Sequence, residues 1–388
     1  LVMGWNRQPS ALADVPKPPL LGRWLWAAVV ALLACVLLFF LHSSERVSLL
    51  HALDVRVLSG MPLLVWLLAF GARAHVYGRA LSHHQLLEES AHEAQQSWQG
   101  WARRHMAICA SCVLLPDQVS ARVLTQAPSG LPSRTGQARR IAVLPVETER
   151  AQAGLQMLIH AVASAIKALP SGQKLRVTLL SDVDPGHYDG LSDRLRRVWS
   201  DAINRTPPAI ICTADELSYS WIDETLKTGS TVIELILVLQ VHGKGAYSDG
   251  LAALLLCPDR LAIALELPIT AGLSRPMPLD IGALDSELPL LLQTQATACK
   301  ASGLLADSAA WQPLTGEILA VAGAHGASLS VEQQWIQEDL SGLPGPLGHW
   351  LVSALAVEVA QHQRAPLLVL AREQSGHWVS TVTTGELA

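Results

Sequence analysis

Two uncharged apolar runs stand near the front of the chain, Trp24 to Leu41 (WLWAAVVALLACVLLFFL) and Val57 to Ala72 (VLSGMPLLVWLLAFGA). At about 1.5 Å per residue the first makes roughly 27 Å of helix, which matches the hydrocarbon core of a bilayer. The second lies between Arg56 and Arg73 and carries Pro62 near its start, where a helix tolerates proline. Two such runs close together fit a transmembrane hairpin; a buried core helix is the competing reading. Residues 79–112 contain no proline and place Leu86, Leu87, Trp98, Trp101 and Ile108 at roughly helical spacing, which predicts a helical stem. A Pro/Ser/Gly-rich stretch over 127–137 (APSGLPSRTGQ) reads as a linker. Beyond it the pattern predicts strands at 141–147, 174–181, 209–213, 234–241 and 250–257, with helices at 151–168, 191–204 and 216–227. After a Pro-rich crossing segment (PITAGLSRPMPLD) it predicts a helix at 286–304, a strand at 317–323, helices at 329–340 and 347–362, and a closing hairpin from PLLVLARE and HWVSTV. Near-continuous apolar strands alternating with helices imply an α/β sheet covered on both faces.

Composition narrows the classes. The formal charge is −5 and no Lys/Arg block is interleaved with aromatics, so nucleic acid is set aside as a partner. Six scattered cysteines do not form a secreted disulfide framework, which points to a reducing compartment. The first apolar run follows a proline-rich lead (PKPP) without a small-residue cleavage site, so it is expected to stay as an anchor. Arg7, Lys17 and Arg23 precede the hairpin and Arg73, Arg79, Arg103 and Arg104 follow it, while Glu45, Arg46, Asp54 and Arg56 balance in the connecting segment. The positive-inside rule then places both termini in the cytoplasm, on a two-pass membrane protein.

Three groups of residues invite a chemical reading. On a helical stem His105, Cys109 and Cys112 share one face, within reach of one metal ion. A structural zinc site draws four ligands, usually from two places, and the chain holds no second Cys-x-x-C, so both cysteines are read as small buried hydrophobes. The loop SDVDPGHYDG (Asp182, Asp184, His187, Asp189) is conceivable as a cation site, against the commoner reading of an acidic turn. HGKGAY lacks the phosphate-loop spacing and precedes a strand, so it reads as a hairpin turn. No cofactor is expected.

Two stretches of the C-terminal part, GAHGASLSVEQQW (323–335) and LGHWLVSALAVEVAQH (347–362), resemble the two histidine loops of the thiolase and β-ketoacyl synthase superfamily, of the forms A-H-G-T-G-T and G-H-x-x-G-A-A-G. His325 and His349 stand at the matching positions. AYSDGLAALLLC is similar to that family's S-E-G-A-A-A-L-L-L strand, and the closing hairpin resembles its last one. The resemblance implies a thiolase-like layered α/β/α domain in which a cysteine at a helix start attacks an acyl thioester while two histidines and the helix dipole stabilise the thiolate and oxyanion. No T-A-C-A-S-S-like elbow is present. Cys212 (AIICTADELS) is the only candidate by position, and ATACKASG around Cys299 has the letters in the wrong order along the chain. Trp350 and Leu351 follow His349, and Ser353 and Ala354 replace the glycines, crowding the path of a pantetheine arm.

The expected organisation is a cytoplasmic lead (1–21), a transmembrane hairpin (22–75), a helical stem (76–126), a linker (127–140) and the α/β domain (141–388). The function read from it is that of a non-catalytic, bilayer-anchored adaptor with a protein partner, similar in architecture to accessory proteins of type VI secretion that serve effector or spike components. The alternative is a membrane-associated acyltransferase or condensing enzyme using Cys212, His325 and His349. The resemblance also implies a homodimer.

Overall fold

The computed structural model describes residues 5, 14–43, 54–126, 132–145 and 149–385. Most of the expected lead, the connecting charges Glu45 and Arg46, residues 127–131 of the linker, and 146–147 of the first expected strand lie outside the described residues. The chain divides into two compact units, Gln8–Ser97 and a second that joins Leu1–Arg7 to Trp98–Ala388.

The smaller unit holds α1 (Leu21–Ser43) and most of α2 (Val55–Arg103), both long and apolar enough to cross a membrane. Pro62 sits inside α2, which begins two residues before the expected run, and leaves the Leu58 carbonyl without its helical donor. Trp66 ties the two helices together by donating its indole N–H to the Trp24 carbonyl at 3.1 Å. Phe70 stacks on Trp66 and meets Trp24 edge-on.

In the larger unit α2 gives way at once to β1 (His105–Leu114), followed by α3 (Ala121–Gln126), α4 (Arg150–Ala168), β2 (Leu175–Ser181), α5 (Tyr188–Ala202), β3 (Ile211–Ala214), α6 (Ser220–Thr228), β4 (Ile233–Gln240) and β5 (Gly250–Pro258). Next come α7 (Asp259–Ala264), β6 (Ala271–Ser274), β7 (Met277–Leu279), α8 (Leu284–Thr294), β8 (Gly303–Ala306), α9 (Gln312–Ala324), β9 (Gln334–Ile336), α10 (Gln337–Ser341), α11 (Gly348–Gln363), β10 (Leu367–Glu373) and β11 (Gly376–Thr384).

The strands form one mixed sheet in the order β3-β2-β4-β5-β1-β6-β11-β10-β8-β9, with β7 pairing β11. Read from each end, this order is the same motif twice. In the first half the third strand lies beside the second, then the fourth, fifth and first. In the second half β9, β8, β10, β11 and β6 repeat that arrangement. In both, the second strand is parallel to the third and fourth, and the fifth is antiparallel to its two neighbours. The halves meet through the antiparallel pair β1 and β6.

Period-two alternation divides the side chains among the layers. From β4, Leu235, Leu237 and Leu239 face α4 and α5, whereas Ile236 and Val238 face a shared middle layer. From β10, Leu368 and Leu370 face α8 and α9, whereas Leu367, Val369 and Ala371 face that same middle layer. The middle is built on α11, apolar around its whole circumference and buried at twelve of its 16 residues. Alanines 354, 356 and 360 let it lie close to strands on either side. The expected three layers are therefore five: helices, half-sheet, central helices, half-sheet, helices.

Several sequence expectations change. Residues 105–114 are strand, not stem helix, with a bulge at Cys109 where the pairing with β5 shifts register. Residues 141–145 are turn rather than strand, and β1 supplies the strand that the first half needs. Residues 317–323 are helical: Pro313 opens α9, and Ile318 and Ala322, four apart, are the two residues it buries. The tail of the helix expected at 286–304 is strand β8, and the region expected as helix 329–340 holds β9 before a short α10. The crossing segment contributes β6 and β7.

Candidate functional site

The repeated topology brings the starts of α6 and α11 together near the ends of β4 and β10, and each half closes the other's helix. β10 ends at Glu373, whose Oε1 accepts the Tyr219 backbone N–H at 2.6 Å, just ahead of α6. Its Oε2 accepts the Ser218 hydroxyl at 2.9 Å and the Ser375 hydroxyl at 3.2 Å. β4 ends at Gln240, whose Oε1 accepts the Leu347 backbone N–H at 3.1 Å, just ahead of α11, while its Nε2 donates to the Ser248 carbonyl at 2.8 Å. Gly345 makes room for that amide, since a Cβ there would stand 2.4 Å from it. Both contacts satisfy N–H groups that a helix start leaves without intrahelical partners, and the charged one also meets the positive end of a helix dipole.

A second matched pair lies one strand over. Asp182, directly after β2, accepts the N–H groups of Val241 at 3.1 Å and His242 at 2.7 Å and the Tyr247 hydroxyl at 3.2 Å. Asp307, directly after β8, accepts the Arg372 N–H at 2.6 Å and the Trp311 indole N–H at 2.9 Å. Burial pushes the Asp307 carboxyl up to about 6, with those hydrogen bonds pulling the other way.

Between the pairs sits His349, with 1 % of its surface exposed. Its Nε2 lies 2.9 Å from the Leu217 carbonyl, a contact that assigns the proton to Nε2, and 3.8 Å from Glu373 Oε1. Its Nδ1 has no hydrogen-bond partner. Desolvation lowers the imidazole pKa, outweighing the Leu217 carbonyl and the Glu373 charge, so the ring is neutral near pH 7. The Tyr219 ring meets it edge-on at 5.4 Å, and its hydroxyl donates to the His349 carbonyl at 2.9 Å and contacts the Ser353 hydroxyl. Trp350 donates its indole N–H to the same Leu217 carbonyl at 2.7 Å.

A cavity of about 290 Å³ opens beside His349, lined in addition by Asp182, Asp184, Asp215, Glu216 and Glu373. Of the residues singled out in the sequence, His349 and the two loop aspartates reach it. Cys212 is exposed on the edge strand β3. His325 caps the end of α9 with its Nδ1 2.9 Å from the Val321 carbonyl, exposed and outside the cavity lining. The structure therefore does not assemble Cys212, His325 and His349. Cys299 is half-buried and directs its thiol to the Leu292 carbonyl.

His105, Cys109 and Cys112 lie along β1, so the helical face that grouped them does not exist. Cys109 pairs its thiol with that of Cys257 on β5, and that contact, together with burial, pushes the Cys257 thiol up. Burial and nearby Glu358 push Cys112 up to about 11. Among the described residues no three His, Cys, Asp or Glu side chains converge as metal ligands. His187 and Asp189 stand at the start of α5 and do not line the His349 cavity. HGKGAY is a turn, with left-handed backbone at Lys244 and Gly245.

The residues that sequence reasoning missed are Glu373, Tyr219, Gln240 and Asp307. One signal was available: Asp182 and Asp307 each follow an apolar strand immediately. Chemically, the arrangement presents a helix start already occupied by a carboxylate, a neutral imidazole, and a cavity with no thiol in its lining.

No protein-family model matches the chain, and no curated protein matches it in sequence. Among solved structures it is similar to the ketosynthase AntDE in complex with the acyl-carrier protein AntF, at 9 % identity and TM-score 0.49 over 73 % of this chain and 99 % of that one. It is also similar to the acyltransferase ChlB3, at 14 % identity and TM-score 0.46, covering 72 % and 98 %. Cerulenin-bound OleA of Xanthomonas campestris matches at 10 % identity and TM-score 0.44, covering 72 % and 96 %.

Proposed function

We propose that this chain is a membrane-tethered, thiolase-type protein that binds a partner and does not transfer acyl groups. The observation that carries the reading is the Glu373 carboxylate on the Tyr219 N–H. In acyl-thioester chemistry the start of such a helix stabilises a thiolate and a developing oxyanion. Here a fixed anion from the other half takes that place, and a second negative charge beside it would be repelled. Support for the thiolase-type assignment comes from the duplicated sheet and from the two helix starts that meet at its centre. The two serine hydroxyls at this helix start are engaged, Ser218 donating to Glu373 and Ser220 donating to Ser218, and both lie outside the cavity lining.

In this reading α1 and α2 form a two-pass anchor in a bacterial inner membrane, with the large unit in the cytoplasm. The partner is a protein, and loading of a type VI secretion effector is the role it would serve. The deciding experiment exposes the purified full-length protein to a radiolabelled long-chain acyl thioester. The expected result is no covalent label. Label that appears on the wild type and disappears in Cys212→Ala or Ser218→Ala would replace this reading with the acyltransferase one. A pull-down from native membranes then addresses the partner, with secretion components as the expected catch.

A further inference from the structure

We infer that the cavity at the starts of β2, β3 and β4 binds a small molecule that joins a polyphosphate group to an apolar ring system, a nucleoside diphosphate being its simplest form. The inference goes beyond the partner-binding reading above and concerns a separate site.

This cavity, of about 1050 Å³, is lined by the end of α4, the loop that leads into β2 and the loop between α5 and β3. The His349 cavity lies past the other ends of β2 and β4. The seven residues of β2 separate the two, roughly 20 Å at about 3.3 Å per residue.

Its charge is one-sided. Lys167, Lys174, Arg176 and Arg205 line it, and no aspartate, glutamate, histidine or cysteine does. The chain as a whole carries −5, so this gathering runs against the overall balance. Arg176 is neutralised by buried Glu234 on the neighbouring strand β4. Lys167 and Lys174 are exposed and enter no ion pair among the described residues. Arg205 is held by neutral groups: its guanidinium donates to the carbonyls of Leu169, Pro170 and Gln173, the last at 2.8 Å. Buried Trp199 donates its indole N–H to the Arg205 carbonyl at 2.9 Å and fixes the backbone there. Those contacts position the charge without cancelling it, and they leave two of the five guanidinium N–H donors unused. Three uncompensated cations around one space repel one another, and a compact polyanion removes that repulsion. Phosphate groups suit this set, because lysine meets them as a point charge and arginine with its planar fork.

An apolar shelf is the independent observation. Ile210 is 61 % exposed and stands in the lining beside Pro207 and Pro208. A purely ionic ligand leaves that shelf wet, whereas a ring system covers it. The volume agrees, since it lies at the top of the range of about 300 to 1,000 Å³ for small organic ligands and far exceeds a single phosphate.

The test titrates the full-length protein, in a neutral detergent, with ADP, adenosine, sodium pyrophosphate and a hexaglutamate peptide, and reads binding by calorimetry. ADP is expected to bind saturably in the micromolar range, and at least fivefold more weakly when salt is raised from 50 to 500 mM. Pyrophosphate should bind at least fivefold more weakly than ADP, and adenosine should not bind. Lys167→Gln combined with Lys174→Gln changes two exposed side chains and should weaken ADP binding at least tenfold with an unchanged circular dichroism spectrum. Lys300→Gln, outside the cavity, should leave it unaltered. Ile210→Ser should weaken ADP and spare pyrophosphate. The inference is overturned if ADP does not bind, if adenosine binds as well as ADP, or if the Lys167/Lys174 double variant binds like the wild type. Hexaglutamate binding without ADP binding also overturns it, and assigns the cavity to an acidic segment of a protein. None of these outcomes touches acyl labelling or the His349 cavity, so failure here and failure of the non-catalytic reading remain distinguishable.

Discussion

The two halves of the sheet share one strand order but treat the helix before their fourth strand differently. In the first half α6 is short and amphipathic, with three buried residues among nine. In the second, α11 is 16 residues long and buried on every side. The ends of the fourth strands differ in the same sense: a neutral Gln240 closes the buried helix, and a charged Glu373 closes the half-exposed one. Duplication supplies the frame, and hydrogen bonds decide where a buried charge is affordable. Glu373 and Gln240 are both buried, and the carboxylate is held by the Tyr219 N–H and the Ser218 and Ser375 hydroxyls.

The comparison breaks hardest at α11. Trp350→Ala removes a fully buried indole and its bond to Leu217, and should cost roughly 3–5 kcal/mol in chemical denaturation, far more than any truncation on the outer face of α6. The matched aspartates offer the next test. The folded-state carboxyl of Asp307, at about 6, lies above its ordinary value near 4, so the native state binds the extra proton between those limits. Its contribution to stability therefore falls as pH rises from about 4 to about 6 and stays lost above that. Asp307→Asn should remove this dependence, changing the wild-type-minus-variant stability difference by up to about 3 kcal/mol across that window.

Glu373→Gln makes the second half end as the first does. The acceptor for Tyr219 is kept and the charge is lost, so stability should drop by about 1–2 kcal/mol, and an equal or higher value would mean that charge is not what separates the two helix starts. The smallest effect is expected on the outer face of α6, where Lys227 pairs with Asp223 in the open. Lys227→Ala should shift stability by less than about 0.5 kcal/mol.

Strands β2, β4 and β5 were legible because each is a long apolar run bounded by turns. β8 and β9 have four and three residues and carry too little pattern to stand out from neighbouring helices. β1 was hidden because HMAICASCVL continues a helical stretch without a break, and only pairing with β5 and β6 distinguishes it. α9 looked like a strand because ILAVAG is evenly apolar, and the A-H-G letters at its end then suggested a histidine loop, whereas His325 caps the helix outside the cavity lining. His349 was legible from its Gly-His position. Glu373 was not, because a glutamate at a strand end reads as solvated, and its partner Tyr219 lies 154 positions away along the chain.

The reciprocal closure by Gln240 and Glu373 makes the two halves interdependent. A polypeptide cut between α7 and β6 would yield fragments that each expose a helix start whose acceptor resides on the other piece. Neither fragment should fold alone, yet co-expression should reconstitute the whole, which makes this junction a natural place for split-protein complementation.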